Sequence, residues 1–181
     1  MLYAACLQKT NTPLCTEETV FSPDFYEPYA LAVQTVFLLC CALRDSARLR
    51  GEDPGIRMLT YRLKTPDSIS EKLQSRGLPI SRQSAGSALR DVSGLRVVLE
   101  KTQQVYRFAR QLAASPAVEL SQVKDYIRAP KPSGYRSLHL IMRVPVCLHK
   151  EQFLIPVEVQ LRTAGMDKWA SAEHDLVYKP K

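Results

Sequence analysis

Gln122-Val123-Lys124-Asp125-Tyr126-Ile127-Arg128-Ala129-Pro130-Lys131-Pro132-Ser133-Gly134-Tyr135-Arg136, followed at once by Ser137-Leu138-His139, is the stretch around which the rest of the chain is organised. It opens as a strand, becomes a stiff cationic loop and closes on an aromatic residue. Pro130 and Pro132 fix their own φ and push the preceding residues towards extended geometry, whereas Gly134 admits a backbone angle that a Cβ would penalise. A loop so constrained holds a shape. Onto it are placed Lys124, Arg128, Lys131 and Arg136 for anions, and Tyr126 and Tyr135 as flat faces for a base. Phosphates and a purine suit that set. Taken alone, Pro-Lys-Pro-Ser-Gly equally fits an ordinary surface turn with a solvated lysine.

Around and beyond this stretch, strands are predicted at about 118–127, 137–146 and 153–162. Residues 164–179 follow as an amphipathic helix with Met166, Trp169, Ala170 and Leu176 towards the core. Alternation in 157–162 puts Glu158, Gln160 and Arg162 on one face and Val157, Val159 and Leu161 on the other, the pattern of a half-exposed strand. Upstream, the near-continuous apolar run 94–99 reads as a central strand covered on both faces. Its exceptions are Asp91, just before it, and Arg96, inside it, a charge that a buried strand does not carry without a partner. A structural salt bridge explains that pair as readily as a ligand site does. Residues 101–114 repeat Val105, Phe108, Ala109 and Leu112 at helical spacing, and Pro116 closes that helix.

Residues 56–64 read as a strand. Thr65-Pro66-Asp67-Ser68 then has the grammar of a helix start, with Thr65 as N-cap and Pro66 in the first position, and Arg76-Gly77 ends the helix. Arg62 and Lys64 point to one side of the strand, and Ser68 and Lys72 stack one above the other on the helix. Four anion-binding groups thus gather at a helix N-terminus. Solvated basic residues on a surface helix are the plain alternative. From Asp24 to about Arg50, Phe25, Tyr29, Val33, Val36, Phe37 and Cys40 follow helical spacing, and the apolar residues spread almost all round. Such a helix is buried on more than one side, by this chain or by a second copy. Its richest run, 29–43, is interrupted by Gln34 and Thr35 and falls short of the roughly 20 residues that span a bilayer. Residues 1–23 show no usable period and read as a loose lead-in to a single domain over 24–181.

The 181 residues bury one proper core. A formal charge of +7 points to polyanionic partners, nucleotides or RNA. The five cysteines, Cys6, Cys15, Cys40, Cys41 and Cys147, form no Cys-x-x-Cys pair and read as reduced, buried thiols in a cytosol. No basic n-region precedes the short apolar run at the N-terminus, so a secretory signal is not expected. Helices and strands follow in the order helix, strand, helix, strand, helix, three strands, helix. That order predicts an α/β (α+β) fold, a mixed sheet of about five strands covered by helices.

Several of these segments together resemble the synthetase domain of the RelA/SpoT family: Lys124-Asp125-Tyr126-Ile127, the run from Pro130 to His139, and Val157-Glu158-Val159-Gln160-Leu161-Arg162-Thr163. The likeness continues through Met166-Asp167, Trp169-Ala170, Glu173-His174 and Tyr178-Lys179, and covers roughly Met58 to the last residue. The resemblance implies a nucleotidyltransferase-like fold and a small alarmone synthetase. Such an enzyme transfers pyrophosphate from ATP to the 3′-hydroxyl of GDP or GTP. It also implies a role for each matching position. Arg62, Lys64, Ser68 and Lys72 correspond to the ATP-phosphate motif, and Arg96 to a guanidinium for the adenine nucleotide. Asp91 and Glu158 correspond to the catalytic carboxylates that share Mg²⁺. Lys124, Lys131, Tyr135, His139, Gln160 and Asp167 correspond to the guanine-nucleotide site. A lone histidine beside a strand is more often a satisfied structural group, which stands as the alternative for His139.

The family further implies a cytoplasmic homo-oligomer, a tetramer. Two departures bear on the acceptor: Gln122 stands where many long members carry Arg, and Ser133 where Asn is frequent. Toxic members that pyrophosphorylate the 3′ end of tRNA, and an inactive RNA-binding or regulatory module of the same fold, are the alternatives. The first 55 residues leave no room for an upstream hydrolase domain. The end near Lys179, where small synthetases continue with further helices, reads as a short form or a truncation.

Overall fold

Five strands build one sheet in the order β1-β2-β5-β4-β3, and the computed structural model describes it within residues 20–178. Along the chain come α1 (Pro23–Leu49), β1 (Ile56–Leu63), α2 (Pro66–Gln74), α3 (Arg82–Ala88), β2 (Ser93–Leu99) and α4 (Thr102–Ala113). Then follow β3 (Glu119–Asp125), β4 (Leu138–Leu148), β5 (Glu151–Thr163) and α5 (Ala164–Tyr178). Only β2 and β5 run parallel; the other neighbours are antiparallel, so the sheet is mixed as the element order predicts. The parallel pair needs a crossover, supplied by α4 and the β3–β4 unit.

One face of the sheet carries the core. Helix α1 packs on β1, β2, β4 and β5 and touches α4. Its Ala32, Val33, Val36 and Cys40 are fully buried, in one cluster with Leu95 and Val97 of β2, Leu112 of α4, and Val157, Val159 and Leu161 of β5. Each large aliphatic side chain so enclosed contributes about 1.5–3 kcal/mol. Burial also pushes the Cys40 thiol up to about 12, which makes it an inert packing group. Cys40, Cys41 and Cys147 are free thiols, but of these only Cys40 is buried as expected: Cys41 is half-buried on α1 and Cys147 is exposed on β4. Cys6 and Cys15, with the rest of residues 1–19 of the expected lead-in, lie outside the described residues; Phe21 is already part of the core.

Four local expectations change. Helix α1 matches the predicted 24–50 helix within a residue at each end, but taken over its full 27 residues it is long and apolar enough, by length and composition, to cross a membrane, which the run 29–43 alone was not. Its inner stripe belongs to the core instead. Helix α3 had no signal in apolar periodicity, because only Ala85 of its seven residues is buried; Ser81 caps it by accepting from the Ser84 N–H at 3.1 Å. Strands β4 and β5 run on to a two-residue turn in which His149 and Lys150 both adopt positive φ, 50° and 71°. That hairpin lacks the Asn-Gly or Asp-Gly that would announce it. Finally, β2 is covered on both faces only in part: Val98 is buried on the second face, but Gly94 and Arg96 beside it are half-buried and line cavities.

Candidate active site

The opposite face of the sheet is polar, and strand register writes its layout. Thr60, Arg96, Gln160, His139 and Lys124 lie side by side across β1, β2, β5, β4 and β3. In the adjacent row stand Arg62, Gly94, Glu158, Ile141 and Gln122. Because opposite residues of a ladder share a face, residues far apart in sequence converge here. A cavity of about 640 Å³ opens over this surface, and a second of about 290 Å³ lies beside it towards β1. Arg62, Asp91, Arg96, Glu158 and Gln160 line both; Lys72, Lys131, Tyr135 and His139 line the larger only.

Asp91 precedes β2 and is met by α2. Thr65 caps α2 by accepting from the Ser68 N–H at 3.3 Å, with Pro66 behind it as expected. That start orients the helix so that Lys72 Nζ reaches Asp91 Oδ2 at 2.6 Å, while Lys64 Nζ reaches the same oxygen at 3.2 Å. Burial pushes the Asp91 carboxyl up, but the two ammonium groups outweigh it and hold the group below its ordinary value. The other oxygen, Oδ1, is buried without a hydrogen-bond partner. An orphaned carboxylate oxygen in a cavity is a ready ligand for a hard cation.

Glu158 lies across from Gly94. His139 Nδ1 is 3.1 Å from its Oε1, and Gln160 donates to its Oε2 at 2.8 Å. Burial raises this carboxyl, whereas the His139 hydrogen bond, the charge of that ring when protonated and the Gln160 amide lower it, and the lowering prevails. Asp91 works in the opposite direction, which marks the two carboxylates as electrostatic neighbours. Arg96 reaches Asp167 Oδ1 at 3.4 Å, the partner its place in a strand requires. Burial and the nearby guanidinium groups of Arg162 and Arg62 push Arg96 below its ordinary value, so the cavity is short of negative charge.

The cationic loop between β3 and β4 is held as its sequence predicts. Asp125 Oδ1 accepts from the N–H groups of Ile127 and Arg128, each at 3.0 Å, and Gly134 adopts φ +85°. A Cβ at Gly134 would come within 3.3 Å of the Trp169 ring. Trp169 therefore covers the loop and is 40 % exposed, not turned to the core as its spacing implied; Ala170 is buried. Tyr135 is 8 % exposed, so its ring is no open platform. Lys131 Nζ sits 4.9 Å from its centroid and the Arg162 guanidinium 5.1 Å, while its hydroxyl meets His139 Nε2 at 2.8 Å.

Lys64, Ser68, Lys124 and Asp167 stand outside the cavity walls: Lys64 on Asp91, the Ser68 hydroxyl at the α2 cap, Lys124 opposite His139, and Asp167 against Arg96 and Arg162. Arg162 is the site residue that sequence reasoning passed over. Its alternation with Glu158 and Gln160 placed it on the right face, but nothing in that pattern showed that a guanidinium would be 4 % exposed at the centre of the network.

Two carboxylates, a cation-lined double cavity and a constrained basic loop can bind two phosphorylated ligands and activate a hydroxyl between them. Residues 61–181 match the family described as a region found in RelA and SpoT proteins. The GTP pyrophosphokinase YwaC of Bacillus subtilis is 37 % identical over 131 residues, 72 % of this chain and 62 % of that protein. The chain thus spans less than two thirds of that relative. The GTP pyrophosphokinase YjbM of the same organism is 30 % identical over 155 residues, 86 % of this chain and 72 % of that protein. The crystal structure of small alarmone synthetase 1 from Bacillus subtilis, bound to its product pppGpp, superposes with a TM-score of 0.79 at 29 % identity. The superposition covers 86 % of this chain and 78 % of that one. With a family match over two thirds of its length and a 30 % identical relative that it covers to 72 %, this chain belongs to the RelA/SpoT family.

Proposed function

We propose that the chain transfers the β,γ-pyrophosphoryl group of ATP to the 3′-hydroxyl of GDP or GTP, giving ppGpp or pppGpp and AMP. One observation carries this reading: two adjoining cavities share Asp91 and Glu158 in their walls, so two nucleotides can meet at one pair of carboxylates. The smaller cavity, with Arg62 and Arg96 on its rim and Gly94 as its floor, takes ATP. The larger, under Lys131, Ser133 and Tyr135, takes the guanine nucleotide. Lys64, Ser68 and Lys124 act on phosphates from just outside the walls.

The acceptor 3′-oxygen attacks the β-phosphorus, the bond from that phosphorus to the α,β-bridging oxygen breaks, and AMP leaves with the oxygen. Glu158 orients the hydroxyl and takes its proton, its two oxygens held by His139 and Gln160. Arg62 and Lys72 stabilise negative charge as it develops on the phosphates. Asp91, with its unpartnered Oδ1, and Glu158 fit Mg²⁺, which needs only one or two carboxylates beside substrate phosphates and water, and which supplies charge neutralisation there.

The protein acts in the cytoplasm as a homo-oligomer. Leu31 and Leu38, two turns apart on α1 and 38 % and 67 % exposed, form the apolar strip that a second copy covers. Light scattering of the parent and of Leu38→Glu tests this, with a monomeric parent as the refuting outcome.

Incubating the chain with γ-labelled ATP and GDP, GTP or tRNA in parallel tests the activity. Label on the 3′ position of a guanosine nucleotide is expected. Label on tRNA alone, or release of inorganic phosphate without transfer, overturns the proposal.

A further inference from the structure

Arginine only donates hydrogen bonds, so a buried arginine fixes the direction of every bond it enters. Arg162 donates from Nη1 to Asp167 Oδ1 at 3.1 Å, and from Nη2 to both Tyr135 Oη at 2.6 Å and Gln160 Oε1 at 2.8 Å. The consequences run around a closed circuit. Tyr135 Oη receives a proton from Nη2 and lies 2.8 Å from His139 Nε2 with its own hydrogen still to give. Glu158 Oε1, 3.1 Å from His139 Nδ1, only accepts, so the neutral ring carries its proton on Nδ1 and Nε2 accepts from the Tyr135 hydroxyl, the direction that the Arg162 bond to Tyr135 also favours. On the other side, Gln160 turns its carbonyl to Arg162, which leaves its amide to donate to Glu158 Oε2 at 2.8 Å. Both oxygens of the carboxylate end chains of donors that begin on one nitrogen.

We propose that Arg162 is a positioning residue for Glu158. Through Tyr135 and His139 on one arm, and Gln160 on the other, it sets the direction of the hydrogen bonds around the carboxylate and holds His139 as the Nδ1–H tautomer. Three features fit this role better than simple packing. Asp167 anchors Nη1, so the fork has a fixed base. Nη2 spends both its hydrogens on the two arms. The Tyr135 hydroxyl, which a purely stacking aromatic would not need, is the link between guanidinium and imidazole. A lysine could not reproduce the arrangement, because its single ammonium lacks the planar fork that serves Asp167, Tyr135 and Gln160 together. The catalytic half of this inference rests on the proposed role of Glu158; the tautomer does not.

The test uses ¹⁵N NMR of the full chain, which separates the two neutral tautomers of histidine. With three histidines in the sequence, the His139 signals are assigned by their loss in His139→Gln. In the parent, Nδ1 should carry the proton. In Arg162→Met, which keeps a long side chain but cannot donate, that preference should weaken, because only the Glu158 carboxylate still holds the proton on Nδ1, and kcat should fall by about tenfold or more with KM for either nucleotide changed by less than about threefold. Tyr135→Phe cuts one arm and keeps the ring, so it should weaken the same tautomer preference with a smaller fall in kcat; it also decides the matter if Arg162→Met does not fold. An Nε2–H tautomer in the parent, or an unchanged tautomer in both variants, overturns the proposal. The expected tautomer changes, together with no pyrophosphoryl transfer by the parent, would uphold the hydrogen-bond assignment and refute the activity instead.

Discussion

Gly94 lies directly opposite Glu158 in the parallel ladder between β2 and β5, so the strand beside the carboxylate presents no side chain there. The smaller cavity is the result, with Gly94 in its lining. A Cβ at this position would meet nothing nearer than the Glu158 carbonyl oxygen at 3.9 Å, an ordinary contact. Gly94→Ala should therefore fold normally, and by stiffening the strand it should raise stability by about 0.5–1 kcal/mol. Gly94→Leu reaches into the space assigned to ATP and should raise its KM about tenfold or more while sparing GDP binding. Equal effects on both nucleotides would place ATP elsewhere.

Glu158→Gln keeps the volume of the side chain and removes the charge proposed to take the hydroxyl proton. Turnover should drop by at least about a hundredfold, the scale of a lost general base, with ATP binding better preserved. It also turns one donor-facing oxygen into an amide nitrogen, which conflicts with either His139 Nδ1–H or the Gln160 amide. Steady-state kinetics within a few-fold of the parent would remove Glu158 from the chemistry.

Much of this site was legible because its motifs carry their own geometry. The Thr65-Pro66 start fixes α2, and the i, i+4 spacing then sets Lys72 beside Ser68. Pro130, Pro132 and Gly134 constrain a loop whose positive φ falls on the glycine as required. Period-two alternation put Glu158, Gln160 and Arg162 on one face. What alternation lacks is depth. It does not distinguish a rim arginine from one buried beneath a tyrosine, so Arg162 passed as an exposed strand residue and Tyr135 as an open face. Burial of a polar side chain depends on the strands beside it, here β2 and β4, whose register no local pattern encodes. The same limit hid α3, held by the Ser81 cap and one buried alanine, and the His149-Lys150 turn, whose residues are not those that favour positive φ.

Lys72 couples catalysis to acid stability. Its ammonium and that of Lys64 hold the Asp91 carboxyl below its ordinary value of 3.8 against the upward push of burial. A carboxyl lowered on folding contributes stability that is fully present above its unfolded value and is lost as the pH falls through the folded one, below 3.8. Lys72→Met weakens the opposition to burial, raises the Asp91 value and should move the acid-unfolding midpoint to higher pH, as read by circular dichroism. It should also depress turnover as well as ATP affinity, because the charge is needed most as the phosphates develop negative charge. Superposable acid transitions would refute the coupling; a raised ATP KM with unchanged turnover would reduce Lys72 to a binding group.

The acceptor is tested at Tyr135, where ring and hydroxyl have separate tasks. The hydroxyl belongs to the circuit between Arg162 and His139, and the ring, with Lys131 4.9 Å from its centroid, forms a wall of the larger cavity. Tyr135→Phe retains the ring, and KM for GDP or GTP should stay close to that of the parent. Tyr135→Ala removes it as well, and loss of a base-contacting aromatic costs on the order of 1–3 kcal/mol, so KM for the guanine nucleotide should rise about tenfold or more beyond the Phe variant. ATP affinity should barely change in either. An enzyme acting on tRNA would spread its grip over many phosphates, so its rate would fall steeply with added salt, whereas a mononucleotide offers two or three phosphates and a shallow slope. A shallow slope with a large Phe-to-Ala difference is expected. A steep slope with equal KM in the two variants would mean that the cationic loop serves a nucleic acid, and would leave the pair Asp91 and Glu158 as the reacting centre for a different acceptor.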